Sequence, residues 1–380
     1  MKVKELELFS FRNINEAHVR LSDGMNFLIG ENAQGKTNAL EAIYLFARGK
    51  SFRGASDAEM ISFGKDCFSA RLVFETRERE EELFYGCSKK EKVRKRNGVL
   101  LERQAELLGH FRAVLFSPDH LQMIKGAPSE RRRFLDVAIS QCYPAYLGLY
   151  ARYLKLLENR NALLKDMQKG RDADENALLA FSERMAQAAA EIYLYRRKYV
   201  IRLSRHAADI MRELSRGKEE MKLSYQSDLG FMPHMKEGEE IGEDDLPTQS
   251  EVEDGYRMLL CGSFMKEALT GSSLYGVHRD ELQIYLSGIK AREYGSQGQQ
   301  RSAVLSLKMA EGRISEEIAG DAPVYLFDDV LSELDEGRRD FLLHGMKGYQ
   351  FIVTGCEKGV LGAHAEDVHF IDVKDGVFTS

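Results

Sequence analysis

Polar and apolar residues alternate along Lys2–Phe9 (Val3, Leu6, Leu8, Phe9), and the apolar run Met25–Ile29 stops at Gly30; both patterns predict strands. From Lys36 the apolar positions fall at helical spacing (Leu40, Ile43, Tyr44, Ala47), so the chain opens as strand, glycine-containing loop, helix. Leu72–Phe74 and Leu83–Cys87 read as hairpin strands around the polar Glu75–Glu82, and Ala113–Phe116 as a buried strand. Between Asp119 and Ser215 helical patterns dominate: Phe134–Ile139, Tyr146–Leu164 and a long amphipathic run, Leu178–Leu214. Tyr143, Tyr146, Tyr150 and Tyr153 recur three to four apart and read as helix core. Met221–Tyr225 and Leu282–Leu286 alternate as strands. A helix is expected over Gly298–Ala319, and buried strands at Val324–Phe327 and Phe351–Thr354.

Composition narrows the class. The 380 residues suit two domains, or one with a large insertion, and 43% hydrophobic with 30% charged residues exclude wholesale disorder. No stretch nears the roughly 20 apolar residues of a membrane helix, and acids at Glu5 and Glu7 break any signal-peptide pattern, so a cytoplasmic chain with no membrane partner is expected. The five cysteines (Cys67, Cys87, Cys142, Cys261, Cys356) show no C-x-x-C spacing and read as reduced thiols. A net charge of −6 argues at first against a nucleic-acid binder. Its placement changes that: between Lys236 and Asp254 nine acids face one base, a local −8 that reads as a solvated loop and leaves +2 for the rest of the chain. Seven bases against two acids crowd Lys89–Arg103 (Lys89, Lys90, Lys92, Arg94, Lys95, Arg96, Arg103), a density suited to phosphate contacts. Arg131, Arg132, Arg133 and Arg196, Arg197, Lys198, Arg202, Arg205 are further candidates, each equally readable as a solvated helix face.

The sharpest chemistry lies in Gly30-Glu31-Asn32-Ala33-Gln34-Gly35-Lys36-Thr37, which fits G-x-x-x-x-G-K-[ST] between the strand and helix that this motif requires. Such a loop curls backbone N–H groups around phosphates, with Lys36 on the terminal phosphates and Thr37 on Mg²⁺. A site of this type needs a metal acid at the end of a buried strand. Val324-Tyr325-Leu326-Phe327-Asp328-Asp329 supplies one, with Asp328 on the metal and Asp329 placed to orient or deprotonate the attacking water. Ser296 opens Ser296-Gln297-Gly298-Gln299-Gln300-Arg301 and is placed to cap a helix whose N-terminus offers a second anion site.

The order of these segments resembles the ATP-binding-cassette ATPases of the SMC type, in which the signature serine of one head reaches the γ-phosphate held by another. Phe116-Ser117-Pro118-Asp119-His120-Leu121, then Lys125 to Asp136, then Gly276-Val277-His278-Arg279-Asp280-Glu281-Leu282 with the Ser296 segment, and Ser332-Glu333-Leu334-Asp335 within Phe327–Leu342, are similar to the RecF family. Thr37 and Ser296 are 259 positions apart, too few for long SMC arms.

The resemblance implies an α/β cassette head, mixed sheets with a phosphate loop and helices, formed by residues 1–116 plus 276–380. A mostly helical lid, 117–275, would be inserted, with no long coiled coil. It implies ATP and Mg²⁺ as cofactors, an ATP-dependent homodimer, sequence-independent DNA binding, and RecR of the RecO/RecR pathway as a partner. It places Arg12 and Asn13 near the nucleotide, Asp119 near the metal where such heads carry a Q-loop, and Ser296, Gly298 and Gln299 against ATP. Thr354 stands where transporters carry the switch histidine, and Asp329 where a glutamate is usual; both departures imply slow hydrolysis. Three readings stand beside this one: a transporter ATP subunit, which expects the missing Q-loop glutamine and switch histidine; a nuclease-associated ATPase, which needs its own acids beyond Leu342, where 38 residues remain; and a scaffold with a vestigial nucleotide site.

Overall fold

The computed structural model describes residues 1–172, 174–230, 242–345, 348–359, 361 and 368–379, so Glu237, Glu239 and Glu240 of the acidic stretch lie outside the described residues. The chain divides into two compact units, Met1–Leu121 with Arg301–Ser380, and Gln122–Gln300. In chain order the first unit holds β1 (Lys2–Phe11), β2 (Ile14–Arg20), β3 (Met25–Ile29), α1 (Lys36–Arg48), β4 (Cys67–Glu75), β5 (Glu80–Ser88), β6 (Lys92–Arg96), β7 (Val99–Leu100) and β8 (Ala113–Phe116). The second holds α2 (Gln122–Lys125), α3 (Pro128–Cys142), α4 (Pro144–Gln168), α5 (Glu175–Leu214), β9 (Met221–Gln226), α6 (Gln249–Gly262), α7 (Phe264–Thr270), β10 (Glu281–Leu286), β11 (Ile289–Lys290) and α8 (Ala291–Tyr294). α9 (Gln297–Ala319) spans the boundary, and β12 (Val324–Asp328), α10 (Glu336–Gly345), β13 (Phe351–Gly355), β14 (Val368–Lys374) and β15 (Val377–Thr379) complete the first unit.

One sheet of the first unit runs β15-β14-β3-β13-β12-β8, with β14, β3, β13, β12 and β8 parallel. Strands buried on both faces lose polar alternation and become continuous apolar runs, and Met25–Ile29, Ala113–Phe116 and Val324–Phe327 do so. Phe116 stacks on Phe327 (ring centroids 4.3 Å), and Phe327 on Phe351 (5.8 Å). The other sheet, β2-β1-β4-β5-β6-β7, is antiparallel and alternates, with Leu6, Leu8, Ala70, Leu72, Leu83 and Tyr85 turned to the core. Residues of α1 join one apolar cluster with side chains from both sheets, Leu6 and Leu72 on one side and Leu326 and Ile352 on the other. That accounts for a helix apolar nearly all round: Ala39 to Ala47 is buried without a break. Because α1 directly follows the phosphate loop, this packing anchors the loop's C-terminal end.

The second unit is mostly helical, with the small sheet β11-β10-β9. β10 pairs antiparallel with β9, so residues 276–300, expected with the head, belong to the inserted unit. Tyr146 and Tyr153 are fully buried, as their helical spacing predicted. The acidic stretch departs from its expectation as a loop over Lys236–Asp254. Thr248 caps α6 through Glu251 N–H while the Glu251 carboxylate returns to the Thr248 N–H (2.8 Å), a capping box that makes these polar residues a helix start. Glu253 and Asp254 then pair with Arg257 one turn on, and Glu243 holds Arg202 through two hydrogen bonds (2.7 and 3.0 Å).

Candidate nucleotide-binding site

β3 ends at Ile29, and the backbone turns through Gly30–Gly35 before α1 begins at Lys36. The turn needs left-handed backbone at Ala33 (φ 66°) and Gly35 (φ 114°). At Gly35 a side chain is excluded twice over, by that φ and by the Asn13 carboxamide oxygen, 3.0 Å from where a Cβ would stand. Lys36 is 7% exposed, and its Nζ donates to Gly30 O (2.5 Å) and Glu31 O (2.7 Å), so the ammonium lies within the loop. The free N–H groups at the start of α1 face the same space, giving a positive pole suited to phosphate.

Two neighbours brace the loop. Asn13, just after β1, donates to Ala33 O (3.1 Å) and accepts from the Asn38 side chain (2.7 Å). The β14–β15 turn donates from Asp375 N–H to Gln34 Oε1 (2.5 Å) and from Gly376 N–H to Gln34 O (2.9 Å). The sequence gives no cue to the second brace, because 341 residues separate its partners. Cys356, just beyond β13, lies 3.3 Å from Asn32 Oδ1 and 3.8 Å from Lys36 Nζ.

The parallel ladder β3-β13-β12 brings Asp328, the expected metal acid, to the loop. Thr37 Oγ1 donates to Asp328 Oδ1 at 2.6 Å across 291 residues of sequence. Two hard oxygen donors at that spacing fit Mg²⁺, which takes one or two protein oxygens and completes its octahedron with phosphate and water. Burial pushes the Asp328 carboxyl above its ordinary value, while the Thr37 and Thr354 hydroxyls pull the other way. Asp329 is exposed and holds left-handed backbone (φ 55°).

The remaining expected residues fall as follows. Arg12 is tied to the fully buried Glu41 of α1 by two hydrogen bonds (2.9 and 2.7 Å) and to Glu59 O (2.8 Å), so Asn13, not Arg12, is the member of that pair hydrogen-bonded to the phosphate loop. Ser296 precedes α9 and accepts from Gln299 N–H (3.2 Å), while the Gln299 side chain accepts from Ser296 N–H (2.9 Å), a reciprocal cap that leaves Ser296 exposed at the helix start with Gly298 in the first turn. Asp119 is exposed on a short 3₁₀ turn after β8, and among the described residues no hydrogen bond or ion pair joins it to Thr37 or Asp328. Sequence reading missed Arg53: its guanidinium donates to Asn38 (3.0 Å), directly after Thr37, and its charge favours ionised Asp328. The signal was its distance of five residues from the end of α1, within reach of the loop, in a segment otherwise featureless.

Two basic candidates for DNA are excluded by burial. Arg131 is 4% exposed and clamps Glu281 through two hydrogen bonds (both 2.7 Å); Arg196 is fully buried against Asp136 and Asp280. Buried guanidinium groups of this kind hold their own unit together. The Lys89–Arg103 run behaves differently: it forms β6 and its turns, with Lys89, Lys90 and Lys95 exposed.

A mixed sheet that joins a phosphate loop to an acid at the end of a parallel strand two places away, with an antiparallel sheet closing over the loop's helix, defines an ATPase head of the ATP-binding-cassette class. The RecF/RecN/SMC N-terminal domain matches residues 2–379, and the chain belongs to the RecF family. The protein of Bacillus subtilis (strain 168) named DNA replication and repair protein RecF is 36% identical over 364 residues, 95% of each chain. That of Macrococcus caseolyticus, with the same name, is 35% identical over 99% of each. A solved structure described as the recombination mediator protein RecF-ATP in the RecFOR pathway superposes with a TM-score of 0.88 at 32% identity, covering all of this chain and 97% of that one. The Smc head of Pyrococcus furiosus, bound to the C-terminal domain of ScpA, shares the fold alone (TM-score 0.55, 18% identity, 100% and 95% covered).

Proposed function

We propose that the protein is a slow, DNA-dependent ATPase that works as a switch in recombinational repair and replication restart. ATP and Mg²⁺ bind at Gly30–Thr37 with Asp328, and two heads close as a homodimer in which each phosphate loop meets the Ser296 helix start of the other. The closed dimer clamps DNA without regard to sequence; hydrolysis, with Asp329 holding the water, releases it. The observation that carries the reading is the 2.6 Å contact between Thr37 and Asp328, which assembles a metal site on the phosphate loop from two distant segments. Exposed Lys89, Lys90 and Lys95 are the phosphate contacts favoured on duplex, single-stranded or gapped DNA. Family membership supports extending this reading to RecR and the RecO/RecR pathway, recombinase loading, a link to the SOS response and a cytoplasmic location. Asp119 remains a candidate metal neighbour only if nucleotide binding draws its turn inward.

Light scattering with ATP, Mg²⁺ and DNA should report a dimer, and DNA affinity should rise with ATP. A monomer under those conditions refutes the clamp. Ser296→Ala should keep ATP binding while losing dimerisation and turnover; loss of ATP binding would instead assign Ser296 to the primary pocket.

A further inference from the structure

Thr354 lies near the end of β13 and is 2% exposed. The ladder register pairs it with Asp328, so its side chain meets the metal acid at the strand end. Its Oγ1 stands 3.1 Å from Asp328 Oδ1 and 3.4 Å from Phe327 O, and it accepts Asp329 N–H at 3.0 Å. One hydroxyl has one proton. The shorter contact and the charge of the carboxylate direct it to Asp328.

The hydroxyl is thus committed on both sides. It donates to the carboxylate that shares the metal with Thr37, and it receives the backbone of the residue that orients water. Asp329 benefits from that hold: left-handed backbone at a non-glycine residue (φ 55°) is kept where the surroundings fix it. The Ser332 hydroxyl, 2.8 Å from Asp329 O, secures the other end of the same residue. Bonded inward on both sides, the buried, branched Thr354 side chain is held at a restricted χ1.

We infer that the Thr354 hydroxyl is a positioning group that locks the metal acid Asp328 and the water-orienting acid Asp329 to each other across the β12–β13 ladder. It acts through those residues and touches no reacting atom. The inference rests on the reading of Gly30–Thr37 as the nucleotide site, and the test separates the two.

Thr354→Val keeps the shape and removes the hydroxyl; Thr354→Ser restores it. Binding of a fluorescent ATP analogue to the full chain, with Mg²⁺ and with chelator, is measured beside steady-state turnover. Thr354→Val should keep metal-free affinity but lose about tenfold in the gain that Mg²⁺ confers, with a comparable fall in kcat and little change in KM, the size seen when partners behind a metal ligand are removed. Thr354→Ser should recover most of both. If Thr354→Val proves unstable, Thr354→Cys, whose thiol keeps the volume but hydrogen-bonds weakly, carries the same expectation. A Thr354→Val protein with wild-type Mg²⁺ dependence and turnover overturns the inference alone. Binding that is indifferent to Lys36→Ala removes the nucleotide site, and the inference with it.

Discussion

His278 shows how one buried side chain makes stability depend on pH. Its Nδ1 lies 2.7 Å from the Tyr153 hydroxyl, and burial pushes the imidazole down to about 4, with Arg279, Arg132 and Arg196 adding repulsion. The folded state thus keeps His278 neutral where the unfolded chain, titrating near 6.5, takes a proton. Above pH 6.5 the two states bind protons alike at this group; below it the unfolded state binds more, and stability falls as pH drops toward 4. Urea unfolding should show the wild type losing on the order of 2 kcal/mol more than His278→Gln between pH 7 and pH 4.5. Equal losses would show that the ring is solvated.

At the scale of elements, the β14–β15 hairpin depends on one turn. Asp375 (φ 50°) and Gly376 (φ 77°) form the left-handed pair favoured in two-residue hairpins, and a Cβ on Gly376 would lie 2.7 Å from Asn13 O. Gly376→Val should strain the turn by about 1–2 kcal/mol and withdraw its two hydrogen bonds from Gln34. The expected readout is weaker nucleotide binding with the remainder of the fold intact by circular dichroism; unchanged affinity would make the hairpin a bystander. Legible in the sequence were elements with a clear apolar signal, either alternating (β1, β9, β10), helical (α1, α4, α5) or a continuous buried run (β3, β8, β12, β13). Those missed had other causes. α6 begins among acids, and its capping box resembles a loop until Glu251 is seen to bond back to Thr248. β2 and β6 carry charge on exposed faces, so apolar alternation is faint. The Gly30–Thr37 motif and the acid pair that ends β12 were visible because each is a local pattern of residues. The Gln34 and Thr354 contacts were not, since register alone creates them.

Across the whole molecule, the proposed DNA contact turns on where charge sits rather than on its sum. The described acids of the 236–254 stretch are largely engaged within their own unit, by Arg202, by Arg257 and by the α6 cap. Glu251→Gln, which keeps the α6 capping box, should therefore leave the salt dependence of DNA affinity unchanged, whereas Lys90→Ala and Lys95→Ala should each lower its slope by about one. A steeper slope from the acid variant would show that the stretch repels DNA.

The sheet order has a consequence during synthesis. β3 leaves the ribosome well before both strands that flank it, β13 and β14, which lie more than 300 residues downstream. At ~5–20 residues per second both edges of β3 stay unpaired for some tens of seconds, while the inserted helical unit emerges and can fold first. An apolar strand with two open edges is an aggregation hazard for that interval. Ribosome-bound fragments ending before Phe351 should need chaperone protection, which the finished chain, with β3 closed in on both sides, has no cause to require.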